Sequence, residues 1–306
     1  MTGSIWSRFF LTPLLLGCLA ACSPLRTIDR LTPDNTYRLS AGIAYGPLGR
    51  QKLDIYAPLG ATRPTPVVVF FYGGNWDSGA RSEYRFVGEA LASRGITAVI
   101  ADYRLYPQVV YPDFVEDSAR AVAWTLAHIE AYGGDPHRLF VMGHSAGAYN
   151  AAMVALDPRW LARFGDSPGM LSGWIGLAGP YNFLPIDVDE IKPIFLFPNT
   201  PPASQPINHV TGDAPPSLLL TGSADTIVSP IRNSDALAAA LRAAHDPVQA
   251  ENYRGVTHAL LIGSFARPLR WVAPALARVV AFVEHTAPAT RPTPDHVAQI
   301  LPRGAS

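Results

Sequence analysis

The chain has 306 residues, 48% of them hydrophobic, which is enough for one large core and makes a single α/β domain the expected organisation. Its 24 basic residues balance 24 acidic ones, so no net field draws it to nucleic acid or to an anionic surface. Lys52 and Lys192 are the only lysines, and the arginines are scattered rather than gathered into a phosphate-binding patch.

The first segment reads as a targeting signal. Arg8 and the amino terminus give a weakly positive start, Phe9 to Ala21 is an apolar run too short for a comfortable membrane span, and small residues precede Cys22. Leu19-Ala20-Ala21-Cys22 resembles a bacterial lipobox. That resemblance implies cleavage before Cys22 and lipidation of its thiol, giving a stable anchor through several acyl chains. The alternative is an ordinary secretory signal with an incidental Cys. Ser23 stands where the inner-membrane retention signal has Asp, so the expected location is the cell envelope, at the outer membrane facing the periplasm. Cys18 would leave with the signal and Cys22 would carry lipid, so the mature chain has no thiol pair to oxidise. The expected segments are a signal at 1–21, a polar tether at 22–35, the folded domain at 36–286 and a Pro-rich tail at 287–306.

Within the domain, Tyr37 to Tyr45 and Gln51 to Tyr56 read as a strand pair joined by a Gly-Pro turn. The run from Pro66 to Gly73 is apolar almost throughout and ends in glycines, as expected of a strand covered on both faces. Ile96 to Ala101 is another, and Glu83 to Arg94 between them is helical by composition, ending at Gly95. From Pro112, Val115, Ala119, Val122, Leu126 and Ile129 recur at helical spacing until Gly133-Gly134. Then follow a strand at Leu139 to Met142, a helix from Ala146 to Leu156, strands at Trp174 to Leu177 and Ser217 to Thr221, a helix from Ser229 to Ala244, a strand at Val248 to Tyr253, and a last helix to about His285. Such alternation predicts a mostly parallel sheet with helices on both faces and a ligand crevice at the C-terminal ends of its strands. Tyr181 to Val210, rich in proline, breaks the rhythm and reads either as an excursion over the sheet that forms part of a lid or as a long surface loop.

Gly143-His144-Ser145-Ala146-Gly147 falls where a buried strand gives way to a helix. A Gly-x-Ser-x-Gly in that context is a nucleophile elbow, with a turn too tight for side chains at the glycines and Ser145 exposed at the sheet's C-terminal edge. Serine needs a base, and the expected order is Ser, acid, His. Asp225 follows the strand at Ser217 immediately, whereas Asp213 precedes it and Asp235 lies within the next helix. Of the four histidines after Asp225, His245 closes a helix, His285 sits near the end of another and His296 is in the tail, leaving His258 on a loop after a strand. His144 should point away from the elbow, as packing or pocket wall. The oxyanion donors are expected from the amide of Ala146 and from Gly74 and Asn75, with Gly73, in the glycine-rich loop after the third strand.

These residues carry a resemblance. Tyr72-Gly-Gly-Asn-Trp76, Asp102-Tyr-Arg-Leu-Tyr106, Tyr132-Gly-Gly-Asp-Pro136, Gly143-His-Ser-Ala-Gly147, Asp225 and His258 are similar to the α/β-hydrolase carboxylesterases, in the branch holding prenylcysteine methylesterases, kynurenine formamidases and feruloyl or acetyl esterases. The resemblance implies the α/β-hydrolase fold, Ser145 as nucleophile with Asp225 and His258 as partners, and Gly74, Asn75 and Ala146 as oxyanion hole. One departure stands out: the family usually has His where this chain has Tyr72, a position that braces the loop. The expected activity is hydrolysis of small carboxylic esters of short to medium acyl chain, with no metal and no cofactor. The same residues would serve an arylformamidase, a thioesterase or a peptidase, and a non-catalytic envelope lipoprotein on the same fold is the alternative of a different class. Tyr72, Trp76 and His144 are expected near the substrate, and Tyr106, Tyr181 and Phe183 are further aromatics on which specificity would depend.

Overall fold

The computed structural model describes Ile28 and residues 31–289. The expected lipid site at Cys22 and the tail beyond 289 lie outside the described residues. Eight strands form one sheet: β1 Tyr37–Ala44, β2 Lys52–Pro58, β3 Thr65–Phe71, β4 Thr97–Ala101, β5 Gly134–His144, β6 Gly173–Leu177, β7 Ser217–Gly222 and β8 Val248–Tyr253. Their spatial order is β1-β2-β4-β3-β5-β6-β7-β8. β1 pairs antiparallel with β2 and β2 with β4, and every later pairing is parallel.

The pattern of side chains explains this order. β3, β4, β6 and β7 are buried almost throughout, as central parallel strands must be when helices cover both faces. β1 and β8 keep exposed positions along their length, which suits edges. Among the described residues six helices of more than one turn accompany the sheet: α1 Arg85–Ala92, α2 Asp113–His128, α3 Ala146–Leu156, α4 Ala236–Ala243, α5 His258–Gly263 and α6 Ala275–His285. From β3 to β4 the chain steps one way along the sheet, and from β4 through β5 to β8 it steps the other way. Right-handed crossovers therefore put α1 on one face and α2, α3 and α4 on the opposite one. α6 returns to the face of α1, and the two helices touch. Glu89 of α1 is buried there and accepts from Arg267 at 2.7 Å and Arg270 at 3.0 Å, tying α1 to the segment between α5 and α6.

The expected elements hold with adjusted ends. β5 begins at Gly134 rather than Leu139, because Gly134 already pairs with Thr65 ahead of an irregularity in the register. The helix expected over 83–94 is a 3-10 turn at Arg81–Glu83 followed by α1. The one expected from Ser229 opens with a π-helical turn, Ile231–Asp235, before α4. The interval 181–210 is a packed cap rather than an open surface loop. Tyr181, Ile194 and Phe195 are buried in it, three 3-10 turns punctuate it, and Phe195 lies edge-on to Trp76 of the β3 loop at 4.8 Å. No helix among the described residues is long and apolar enough to cross a membrane.

Candidate active site

The elbow is a steric necessity. Ser145 sits between β5 and α3 at φ 56° and ψ −123°, a conformation that a non-glycine residue adopts only under constraint. Its amide donates to Leu177 O of β6 at 2.9 Å, which fixes the turn to the neighbouring strand. A Cβ at Gly143 would lie 2.0 Å from Gly147 O, and one at Gly147 would lie 2.0 Å from Phe71 O of β3. Only glycine lets α3 start this close to β3 and β5. The helix axis thus begins at Ser145, with its N-terminal amides directed toward the reacting region.

The fold brings Asp225 and His258 together. His258 Nδ1 lies 2.8 Å from Asp225 Oδ2. A carboxylate accepts only, so Nδ1 carries a proton, and in the neutral ring Nε2 has the lone pair. The other carboxylate oxygen accepts from the amides of Ile227 and Val228, each at 2.9 Å. Burial pushes the Asp225 carboxyl up, but the bond from His258 and those from the Val228 and Ile227 amides outweigh it and hold it below the ordinary carboxylate range. His258 is bonded through Nδ1 and through its carbonyl oxygen, and its Nε2 has no protein partner among the described residues. His258 opens the short helix α5, whose cap Thr257 Oγ1 accepts from Leu260 N at 3.3 Å. The expected loop position is thus a helix start.

The glycine-rich loop is strained in its own way. Gly74 has φ 117°, and Asn75 and Trp76 follow with φ 46° and 59°. Two successive left-handed non-glycine residues are costly and need support from around them. Gly74 O accepts from the amides of Asp77 and Ser78, both at 3.0 Å, and the Trp76 indole donates to Asn150 Oδ1 of α3 at 3.0 Å. The amides of Gly73, Gly74, Asn75 and Ala146 donate to no protein acceptor among the described residues. Of these four, the amides of Asn75 and Ala146 belong to residues that face one cavity together with Ser145.

Beneath that loop lies a charged brace. Tyr72 is stacked between Tyr84 and Tyr103, and its hydroxyl donates to Asp102 Oδ1 at 2.8 Å while accepting from Arg50 Nη2 at 2.7 Å. Arg50 also donates to Tyr103 O at 2.8 Å and Gly79 O at 2.9 Å. Arg81 joins Asp102 to Asp54, donating to Asp54 Oδ1 at 2.8 Å and pairing directly with Asp102. Burial raises the Tyr72 phenol far above its ordinary value, so it stays a donor to Asp102.

Comparison with known proteins agrees with this fold. Residues 53–163 match the BD-FAE family. The isoprenylcysteine alpha-carbonyl methylesterase ICME of Arabidopsis thaliana is 33% identical over 238 residues, covering 71% of this chain and 55% of that protein. The probable carboxylic ester hydrolase LipM of Mycobacterium tuberculosis is 31% identical over 248 residues, covering 74% of this chain and 56% of that protein. The chain spans about half the length of the curated relatives it matches. The solved Pyrobaculum calidifontis esterase superposes with a TM-score of 0.69 at 22% identity, covering 86% of this chain and 90% of that one. The chain has the α/β-hydrolase fold.

In this fold the cavity at Ser145 measures about 500 Å³ and is walled by Trp76, Phe183, Val188, Ile191 and Val228. A larger one of about 990 Å³ lies among loops at the opposite ends of the strands, around Arg63 and Arg94, away from the triad residues. Trp76 and Phe183 line the site as expected. Two of the expected pocket residues do not. Tyr72 lies under the oxyanion loop, because its hydroxyl is drawn to Asp102 and Arg50, and His144 is buried against His258 rather than facing the cavity. Tyr181 lies buried behind the wall with its amide on Asn233, and Tyr106 binds Trp76 O through its amide. Sequence reasoning missed Arg50, Arg81 and Asn233, whose partners are distant along the chain. Asn233 Oδ1 accepts from the amides of Tyr181 and Asn182 at 2.7 and 2.9 Å, which fixes the base of the cap. Among the described residues no group of three His, Cys, Asp or Glu side chains could hold a metal ion.

Burial, and then the charge of nearby His258, push His144 down from its ordinary 6.5 to about 3, against weaker opposing pulls from the His258 carbonyl and from Asp225. The unfolded chain therefore binds a proton in this window that the folded chain does not. Stability from this group is complete above 6.5 and falls as the pH drops toward 3, by up to about 1.4 kcal/mol per pH unit. In urea titrations across that window, His144→Phe should lose stability less steeply with acid than the wild type; equal slopes would show that His144 does not carry this dependence.

Proposed function

We propose that this protein is a serine carboxylesterase acting on small esters of short to medium acyl chain. The observation that carries the reading is one cavity lined by Ser145, held at a strained φ, by Asp225, which is bonded to His258, and by Asn75 and Ala146, whose amides meet no protein acceptor among the described residues. In this mechanism His258 Nε2 takes the Ser145 proton as Oγ attacks the ester carbonyl, and Asp225 holds the imidazole in the tautomer that makes this transfer possible. The amides of Ala146, Gly74 and Asn75, with Gly73, bind the developing oxyanion, at about 3 kcal/mol each in the transition state. His258 then protonates the leaving alcohol, and water releases the acyl group by the same route. The names of the relatives, methylesterases and carboxylic ester hydrolases, support ester over amide bonds. The apolar walls at Trp76, Phe183 and Ile191 in about 500 Å³ support a modest acyl group.

The test is hydrolysis of p-nitrophenyl esters from acetate to laurate by the fragment starting at Ser23. Activity should fade with chain length, and Ser145→Ala should lower kcat by roughly four orders of magnitude or more while leaving the melting temperature close to wild type. Hydrolysis retained by Ser145→Ala would place the chemistry elsewhere.

We also propose that Cys22 carries a lipid anchor in the cell envelope, at the outer membrane facing the periplasm. The support is the lipobox-like sequence Leu19-Ala20-Ala21-Cys22 with Ser23 after it. Cys22→Ala should move the protein from the membrane fraction to the soluble one, and an unchanged distribution would refute the anchor.

A further inference from the structure

His144, just before the nucleophile, has a buried ring whose contacts run to the base and not to the cavity. It ends β5 and pairs with Leu177 of β6. Its Nε2 lies 3.2 Å from the main-chain carbonyl oxygen of His258. A carbonyl only accepts, so the proton sits on Nε2 and Nδ1 is left as an acceptor. That Nδ1 is buried and has no hydrogen-bond partner among the described residues. Leaving a buried acceptor unpaired is costly, and a phenylalanine would fill the same space without that cost. An imidazole at this position therefore needs a reason beyond packing.

The surroundings supply one. The His144 and His258 rings stand 4.7 Å apart, tilted by 46°. On the other side is Gly73 of the oxyanion loop, where a Cβ would come 3.0 Å from Ser145 Cβ and 3.2 Å from His144 Nδ1. The ring thus fills the space between the oxyanion loop, the nucleophile and the base. Asp225 holds one edge of the His258 imidazole, but α5 is a six-residue helix, and its backbone needs its own restraint for the ring to stay aimed.

We infer that His144 is a positioning residue for His258, its Nε2–H pinning the carbonyl of the base so that the imidazole is presented to Ser145. Both ends of His258 are then held, the ring by Asp225 and the backbone by His144. Burial suits His144 to this task by keeping it neutral, so that no second cation stands beside His258 when it takes up the serine proton.

The test compares His144→Phe, which keeps a planar ring and loses the donor, with His144→Gln, which keeps a donor. With p-nitrophenyl butyrate, His144→Phe should lower kcat roughly tenfold with KM within about twofold of wild type, and His144→Gln should recover most of the loss. Full kcat in His144→Phe overturns the inference, and so does an equal loss in both variants, which marks ring packing alone. Should neither variant fold, nitrogen NMR of the wild-type imidazoles decides. A neutral His144 ring protonated at Nε2 is expected, and one protonated at Nδ1 overturns the inference. The inference rests on the esterase reading, so Ser145→Ala is assayed alongside. Hydrolysis that survives in Ser145→Ala sinks that reading, whereas Ser145-dependent hydrolysis untouched by His144→Phe sinks this inference alone.

Discussion

The close approach of α3 to β3 and β5 is the constraint on which the rest of the site depends. With contacts of 2.0 Å awaiting any Cβ at Gly143 or Gly147, the chain can pass from strand to helix in one residue only if both positions are bare. That single residue is Ser145, and it takes the strain as a positive φ. The strain is compensated by the sheet, through the Leu177 carbonyl, and by α3, which is buried along its whole length. A rigid turn of this kind places a hydroxyl and the first helix amides in fixed relation before any substrate arrives, which is what electrostatic preorganisation requires.

The other half of the site is held by charge. The oxyanion loop carries two left-handed non-glycine residues, and it rests on Tyr72, whose hydroxyl is clamped between Asp102 and Arg50. Asp102 in turn is tied to Arg81, and Arg81 to Asp54 of β2. Arg50 and Asp54 come from the antiparallel edge of the sheet, so that edge has a part in shaping the site although none of its residues lines the cavity. Tyrosine at 72 braces the loop where the resemblance to the carboxylesterases implies a histidine, with a neutral phenol in place of an imidazole.

Much of this was legible in the residues. Alternation of apolar runs with 3.6-period segments predicts the parallel sheet, and the order of Ser145, Asp225 and His258 follows from which strand each residue succeeds. Such features are local, so a linear reading reaches them. The misplacements at Tyr72 and His144 arise because a residue's neighbours along the chain do not reveal which way its side chain turns when distant charges compete for it. Arg50, Arg81 and Asn233 escaped for the same reason, since each acts on a partner brought near by the fold. The cap at 181–210 was ambiguous because irregular backbone has no period, and burial of Phe195 against Trp76 depends on contacts across more than a hundred residues.

The central claim is that one serine, made nucleophilic by its turn and its partners, does the chemistry. It is tested most directly by exposing the folded protein to a small alkyl fluorophosphonate and locating the adduct by peptide mass spectrometry. The account predicts a single stoichiometric adduct on Ser145 that fails to form in the His258→Ala variant. An unmodified protein, or an adduct on any other residue, would contradict it.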